Sequence, residues 1–173
     1  MNLVHKFLDR TEYADYADFA ANCKLKVPEK FNYGYDVIDE YARLAPEKRA
    51  LVWCNDKGEE RIFTFGDIAR LSDKAANVLK NLGLVKGDII MTMLNRRWEY
   101  LILAIACYKA GVVNIPATYM LTAKDIAYRI NGAGAKALLC INEDSVVKYV
   151  EDASNEFPQN FIKMTIGKRD GYL

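Results

Sequence analysis

Two short polar segments hold the side chains best placed to bind a ligand. Asn95-Arg96-Arg97 follows an apolar run, and Thr118-Tyr119-Met120 follows a strand-like run that ends at Pro116. In open parallel sheets, ligands bind beyond the carboxyl ends of the strands. Arginine just before a helix is electrostatically unfavourable, so the arginine pair either marks an anionic partner or consists of two solvated surface residues. For Tyr119 and Met120, the alternative role is to cover the end of the sheet.

The sequence contains no recognisable catalytic group. Its one histidine is His5, which argues against a Ser–His or Cys–His pair and against a histidine-based metal site. The paired carboxylates Glu59-Glu60 are predicted to lie in a hairpin turn. Gly132 and Gly134 follow a helical segment and precede a strand, the reverse of a phosphate loop, and so predict a helix C-cap. We therefore predict no catalytic residue and no metal ligand.

The charge balance disfavours nucleic acid as a partner. The chain has 24 basic and 23 acidic side chains, a formal net charge of +1, and so no global field that attracts phosphate backbones or anionic membranes. The longest apolar run, from Tyr100 to Tyr108, is far shorter than the roughly 20 residues that span a bilayer. Composition thus favours a globular protein without a membrane span.

The cysteines and the start of the chain bear on location. The four cysteines include no CxxC pair, and they are interpreted as small core residues in a reducing compartment, with a disulfide or zinc framework as the alternative. Asp9, Glu12, Asp15 and Asp18 argue against a secretory signal and an acidic-poor transit peptide. Together these features predict a cytoplasmic location.

Hydrophobic periodicity predicts an α/β fold. It indicates a leading helix over residues 11–23, packed on the main body, and a helix from an N-cap at Asp36 to Ala45. A hairpin follows, with strands at 51–54 and 61–65. Helices and strands then alternate: a helix capped by Thr64 and Asp67, strand 89–94, helix 98–110, strand 112–115, a helix capped by Thr122 and Asp125, strand 137–141, helix 144–153 and strand 161–166. This order predicts a three-layer fold, a mostly parallel sheet with helices on both faces, preceded by a β-hairpin.

Several blocks of sequence, in this order along the chain, resemble one family of enzymes. The blocks are Phe31-Asn32-Tyr33-Gly34-Tyr35-Asp36-Val37-Ile38-Asp39, the hairpin from Ala50 to Asp67, Leu82-Gly83-Leu84-Val85-Lys86-Gly87-Asp88, Lys109-Ala110-Gly111 through Thr118, and Leu121 through Arg129. They resemble the AMP-forming acyl-CoA synthetases of the adenylate-forming superfamily, and most of all the medium-chain and acetyl-type branch. Agreement over many separate blocks is much more specific than any one block.

The resemblance implies a two-step reaction with ATP, Mg²⁺ and CoA. A carboxylic acid and ATP give an acyl-adenylate and pyrophosphate, and the CoA thiol then captures the acyl group. The family's phosphate loop and later motifs match nothing here and would come after Leu173, so no catalytic residue is carried over. In the family, the loop matching Thr118, Tyr119 and Met120 lies near the CoA nucleotide. Relatives often have a polar side chain where this chain has Met120, which leaves backbone or stacking contacts to CoA.

These inferences predict a truncated ligase. Residues 1–30 would form a leading helix and connector, and residues 31–173 the N-terminal part of the large adenylate-forming domain. This part would be scaffold and one wall of the CoA or acyl site, inactive alone and holding no cofactor tightly. It would also self-associate through apolar surface left bare. The alternatives are a free-standing α/β binding module and an oligomerisation unit.

Overall fold

The computed structural model describes residues 3–173 of the chain; residues 1 and 2, with which the predicted leading segment 1–30 begins, lie outside the described residues. A 3₁₀ turn covers Leu3–Lys6, and the helices are α1 (Tyr16–Asn22), α2 (Glu40–Leu44), α3 (Phe65–Asn81), α4 (Trp98–Ala110), α5 (Ala123–Ala133) and α6 (Asp144–Ala153). The strands are β1 (Arg49–Cys54), β2 (Glu60–Thr64), β3 (Ile89–Met93), β4 (Val113–Pro116), β5 (Ala137–Ile141) and β6 (Ile162–Ile166).

The four later strands form a parallel sheet in the order β4-β3-β5-β6, and β1 and β2 form a separate antiparallel hairpin. Alternate side chains of the sheet enter two different cores. Ile90 and Leu139 pack with residues of α3 and α4, whereas Met91, Leu138 and Cys140 pack with residues of α5 and α6. Both faces are therefore covered, as parallel strands require, and the predicted three-layer α/β fold with a leading hairpin is confirmed.

Local capping signals fix the start and end of the main helices. Thr64 accepts a hydrogen bond from the Asp67 N–H at 3.1 Å, and the Asp67 carboxylate accepts one from the Thr64 N–H at 3.2 Å. Thr122 and Asp125 form the same reciprocal box at the start of α5. The helix α5 ends at Gly134 in the left-handed region, with φ of 65°. The predicted C-cap is thus Gly134 alone, since Gly132 lies within the helix.

The region before the hairpin corrects two predictions. The predicted N-cap at Asp36 is wrong: a π-helical segment begins at Gly34, runs to Asp39 and continues as α2. The Asn32 side chain caps it instead, accepting from the Gly34 N–H at 2.9 Å, while Asp36 accepts from the Asn32 N–H at 2.8 Å. The leading helix is also shorter than predicted, and it does not pack on the body, because none of the residues of α1 is buried.

The cysteines fall into two classes. Cys107 and Cys140 are buried in the two sheet cores, where desolvation raises the pKa of each thiol to about 12. Cys23 is half-buried and Cys54 is exposed, and all four are free thiols. The core interpretation therefore holds for Cys107 and Cys140, and no two of the four cysteines are bonded to each other in this structure. Within residues 3–173, no helix combines the length and apolar character needed to cross a membrane.

A buried lysine joins the region before the hairpin to the helical layer. The Lys109 side chain, on α4, is fully buried. Its ammonium group donates to Asp39 at 2.6 Å, to Asp73 on α3 at 2.7 Å and to the Ala69 carbonyl at 3.4 Å. These three acceptors match the three donors of an ammonium group. The stem of Lys109 also passes Gly34 so closely that a Cβ there would lie 2.6 Å from its Cγ.

We expect Gly34→Ala to lower the free energy of unfolding by about 1–3 kcal/mol, the usual cost of forcing a methyl group into a packed core. The reason is that the Lys109 stem must move, and its position is fixed by Asp39 and Asp73. Urea denaturation of the purified chain measures the effect.

Gly132→Ala is the matched control. A Cβ at Gly132 would meet no atom within 4 Å, and alanine is favoured over glycine within a helix by up to about 1 kcal/mol. The control is therefore expected to be neutral or stabilising. Equal stability of the Gly34 and Gly132 variants would show that Lys109 does not confine position 34.

Candidate functional site

The loops that follow β3 and β4 meet at the carboxyl edge of the sheet. The two strands are parallel neighbours, with Thr92 opposite Pro116. The Ala117 N–H donates to the Thr92 carbonyl at 2.8 Å, which extends the pairing just beyond the end of β4. As a result, the segments 95–97 and 118–119, far apart in sequence, line one cavity.

This carboxyl-edge cavity has a volume of about 390 Å³. It is lined by Thr92, Leu94, Asn95, Arg96, Arg97, Tyr100, Pro116, Ala117, Thr118 and Tyr119. None of these side chains is acidic, so the lining has two cationic groups, several hydroxyl groups and no carboxylate. Such a lining favours anions over cations. The helix α4 also begins here, with Arg97 at its N-cap and no side-chain cap.

The two arginines differ in their surroundings. The Arg97 guanidinium donates from Nε to Glu99 at 3.1 Å, so a carboxylate neutralises it. Among the described residues, no carboxylate forms an ion pair with Arg96, which is exposed. The Arg96 backbone is nevertheless held, since its carbonyl accepts from Trp53 Nε1 at 2.7 Å and its N–H donates to Asn95 Oδ1 at 2.8 Å.

The segment Thr118-Tyr119-Met120 is a short bridge between β4 and α5. Pro116 is the last residue of β4 and Thr122 caps α5, as the sequence predicted. The Thr118 hydroxyl accepts from the Met120 N–H at 3.3 Å, which restrains the bridge further. Thr118 and Tyr119 line the cavity, and Tyr119 is 37% exposed. Met120 is 74% exposed and lies outside the cavity lining.

Sequence reasoning missed Tyr100 and Trp53. Tyr100 lines the carboxyl-edge cavity and two larger ones, of about 610 and 700 Å³, beside the outward face of α4. In the sequence it belongs to a nearly continuous apolar run, which gives no sign that it faces a cavity. Trp53 lies in the hairpin, and only the folded chain brings it to Arg96.

Asp125, which follows the bridge Thr118-Tyr119-Met120, has a structural role in the capping box of α5. Hydrogen bonds from Thr122 hold the pKa of the Asp125 carboxyl below its ordinary value. Asp125 is thus ionised and occupied in its capping box at neutral pH. Within residues 3–173, no group of three or more His, Cys, Asp or Glu side chains is arranged to hold a metal ion. The cavity lining can accommodate an anionic group at the arginines and a flat group against the Tyr119 ring.

The chain was compared with known proteins. The AMP-binding enzyme family matches residues 38–167. The human protein named acyl-coenzyme A synthetase ACSM4, mitochondrial, is 37% identical over 167 residues, covering 91% of this chain and 28% of that protein. This chain thus spans little more than a quarter of the length of that relative.

Two solved structures share the fold. A Rhodopseudomonas palustris protein assigned as a long-chain-fatty-acid CoA ligase superposes with a TM-score of 0.72 at 20% identity, covering 83% of this chain and 34% of that one. The anthranilate CoA ligase AuaEII, solved with anthranoyl-AMP, also gives 0.72, at 19% identity, covering 85% and 27%. At such low identity these likenesses establish the fold alone. The family match over most of the sequence goes further, and it shows that this chain belongs to the AMP-binding enzyme family.

Proposed function

We propose that this chain is the N-terminal part of an AMP-forming acyl-CoA synthetase. The observation that carries the proposal is the family match over residues 38–167, together with 37% identity to an acyl-coenzyme A synthetase along nearly the whole chain. The reaction would join a carboxylic acid to CoA at the expense of ATP, which leaves AMP and pyrophosphate.

In this proposal the chain acts as scaffold and as one wall of the CoA or acyl site. Residues 1–30 are the leading segment and connector, and residues 31–173 belong to the large adenylate-forming domain. ATP, Mg²⁺, CoA and the carboxylic acid are partners of the longer enzyme. The family resemblance implies that the motif that holds Mg²⁺ comes after Leu173, outside this part. We expect this chain alone to bind none of these partners tightly.

Thr118, Tyr119 and Met120 are the proposed CoA-proximal residues. The Tyr119 ring is partly exposed at the cavity, where it can stack on a flat group. The Met120 thioether is exposed beside it and offers an adaptable apolar contact. Their backbone is restrained between Pro116 and Thr122, which lowers the entropy lost when a ligand binds.

Two features favour the rival function, a free-standing binding or oligomerisation module. The outward face of α4 exposes Leu101 and Tyr108 beside two cavities, and the neighbouring β4 is an edge strand that exposes Val113. Exposed apolar surface of this kind is typical of protein interfaces. Reading the coding sequence beyond Leu173 distinguishes the two, since the ligase requires a phosphate loop and later motifs there.

A cytoplasmic location remains our proposal for this protein. The human relative carries the word mitochondrial in its name, so the mitochondrion is the alternative compartment. Cell fractionation with an antibody against this chain tests the assignment. Both compartments are compatible with the four free thiols.

The purified 173-residue chain is expected to form no acyl-adenylate. The phosphate loop and the later motifs that the family resemblance implies, which would clamp the triphosphate and offset the charge that develops at the transferred phosphate, match nothing in residues 1–173. Pyrophosphate release with ATP, Mg²⁺ and short or medium fatty acids is the measurement, with heat-denatured chain as the control. Acid-dependent turnover by the native chain would contradict the scaffold role, whereas acid-dependent turnover by a longer product of the same gene would support the ligase proposal.

In a longer enzyme that contains this segment, Tyr119→Ala with Met120→Ala is expected to raise the KM for CoA by about tenfold, the value of one stacking contact. Adenylate formation should hardly change, because CoA enters only the second half-reaction. Tyr128→Ala, an exposed tyrosine on α5, is the matched control. An equal loss in both half-reactions would assign Tyr119 and Met120 to the scaffold.

The purified chain is also expected to form dimers or larger species at micromolar concentration. Leu101→Glu should shift it towards monomer, because a charge on the outward face of α4 would have to be desolvated in the interface. Tyr128→Glu introduces the same charge at an exposed aromatic position on α5 and should leave association unchanged. Sedimentation velocity measures the species. A strictly monomeric wild-type chain would refute self-association and indicate an autonomous domain.

A further inference from the structure

Arg96 carries a positive charge that the described part of the chain leaves unpaired. Its neighbour Arg97 is neutralised by Glu99, and this ion pair accounts for one of the two arginines before α4. No described carboxylate pairs with Arg96. The choice between a solvated surface arginine and an arginine that binds an anionic partner therefore concerns Arg96 alone. Its place in the lining of the carboxyl-edge cavity favours the anionic partner.

The backbone of Arg96 is held in place by the hairpin. Trp53 Nε1 donates to the Arg96 carbonyl at 2.7 Å, and the Trp98 ring two residues later packs on Phe63 of β2 with ring centroids 5.1 Å apart. A cation on a restrained loop loses less entropy on binding than one on a mobile loop. The loop is therefore built to present Arg96, although Arg96 itself forms no ion pair.

The cavity around Arg96 offers the donors that a phosphate group needs. Tyr119 and Tyr100 line it, and neither hydroxyl has a hydrogen-bond partner among the described residues. Thr118 adds a third hydroxyl, and no acidic side chain lines the cavity. A planar guanidinium and several hydroxyl donors, with no competing carboxylate in the lining, can donate to the several acceptor oxygens of a tetrahedral phosphate group.

We propose that Arg96 binds a phosphate group of a nucleotide co-substrate in the carboxyl-edge cavity. The identity of that nucleotide rests on the proposed function, which supplies two sources of the same chemistry, CoA and ATP. The phosphate site itself rests on the unpaired guanidinium and the cavity lining. Met120, beside Tyr119 on the loop after β4, is uncharged, and Arg97 is paired with Glu99. Arg96, on the loop after β3, is therefore the unpaired cation of the lining that would hold the phosphate near Tyr119.

The test is an NMR titration of the purified chain with four probes: inorganic phosphate, ATP, CoA and 3′-dephospho-CoA. Binding is expected to be weak, with amide shifts confined to residues 94–98 and 117–120. Arg96→Gln should raise the Kd of every phosphate probe that binds by about tenfold, the value of one charge-assisted hydrogen bond. Arg96 is exposed, so the variant is expected to fold, and circular dichroism checks this.

Arg129→Gln is the matched control, because Arg129 is an exposed arginine on α5 whose partner is Asp125. It should bind all four probes as the wild-type chain does. Tighter binding of CoA than of 3′-dephospho-CoA would assign the site to the 3′-phosphate, and a preference for ATP would assign it to the triphosphate; either result supports the proposal.

The outcomes separate this inference from the proposed ligase function. Arg96-dependent binding of inorganic phosphate without binding of either nucleotide would keep the phosphate site and overturn its link to a CoA ligase. Unchanged affinity in Arg96→Gln, an equal loss in Arg129→Gln, or shifts scattered over surface lysines would each overturn the site. The ligase assay does not depend on any of these results.

Discussion

The ammonium group of Lys109 is buried where an unpaired charge would be very costly, and the surrounding helices are arranged to satisfy it. Asp39 comes from the π-helical segment, and Asp73 and the Ala69 carbonyl come from α3. The two carboxylates remain partly exposed, so they keep some hydration while they pair with the lysine. This arrangement avoids the full desolvation cost of a wholly buried ion pair. The interaction holds α4 against the π-helical segment and against α3.

From Lys109, the constraint extends along α4 to the cavity. The C-terminal end of α4 is fixed by the lysine, and its N-terminal end by the hairpin, where Trp53 bonds to Arg96 and Phe63 packs on Trp98. With both ends held, the helix places Tyr100 between the three cavities. The hairpin therefore also restrains the loop that carries Arg96.

Local signals were readable in the sequence because they depend on neighbouring residues. The boxes at Thr64 and Thr122 and the buried runs of β3 and β5 need only short stretches of chain to be recognised. The strand order and the role of Lys109 depend on residues distant in sequence, and a lysine in a helix normally predicts an exposed position. The predicted N-cap at Asp36 is wrong for a local reason: the Asn32 side chain, four residues earlier, accepts from the Gly34 N–H and so takes the capping role.

The sequence predicts where the candidate site lies, but not which of its side chains are paired. Topology alone places the loops after β3 and β4 at one edge, since parallel neighbours end together. The difference between Arg96 and Arg97 could not be predicted, because Glu99 lies only two residues from Arg97 and such pairs do not face each other within a regular helix. Arg97 precedes α4 in an extended conformation, and this turns its side chain back to Glu99.

The two edges of the sheet differ, and the difference bears on how a ligand and a protein partner would share the surface. At β6, backbone groups of the strand are bonded to Leu173. The Leu173 N–H donates to the Lys163 carbonyl at 3.0 Å, and the Leu173 carbonyl accepts from the Thr165 N–H at 3.1 Å. No described strand pairs with the outer edge of β4, and the apolar outward face of α4 lies beside it. Tyr100 lines the cavities next to this face as well as the carboxyl-edge cavity. If the proposed association through α4 and the proposed phosphate site both hold, Tyr100 is the side chain that the two surfaces have in common.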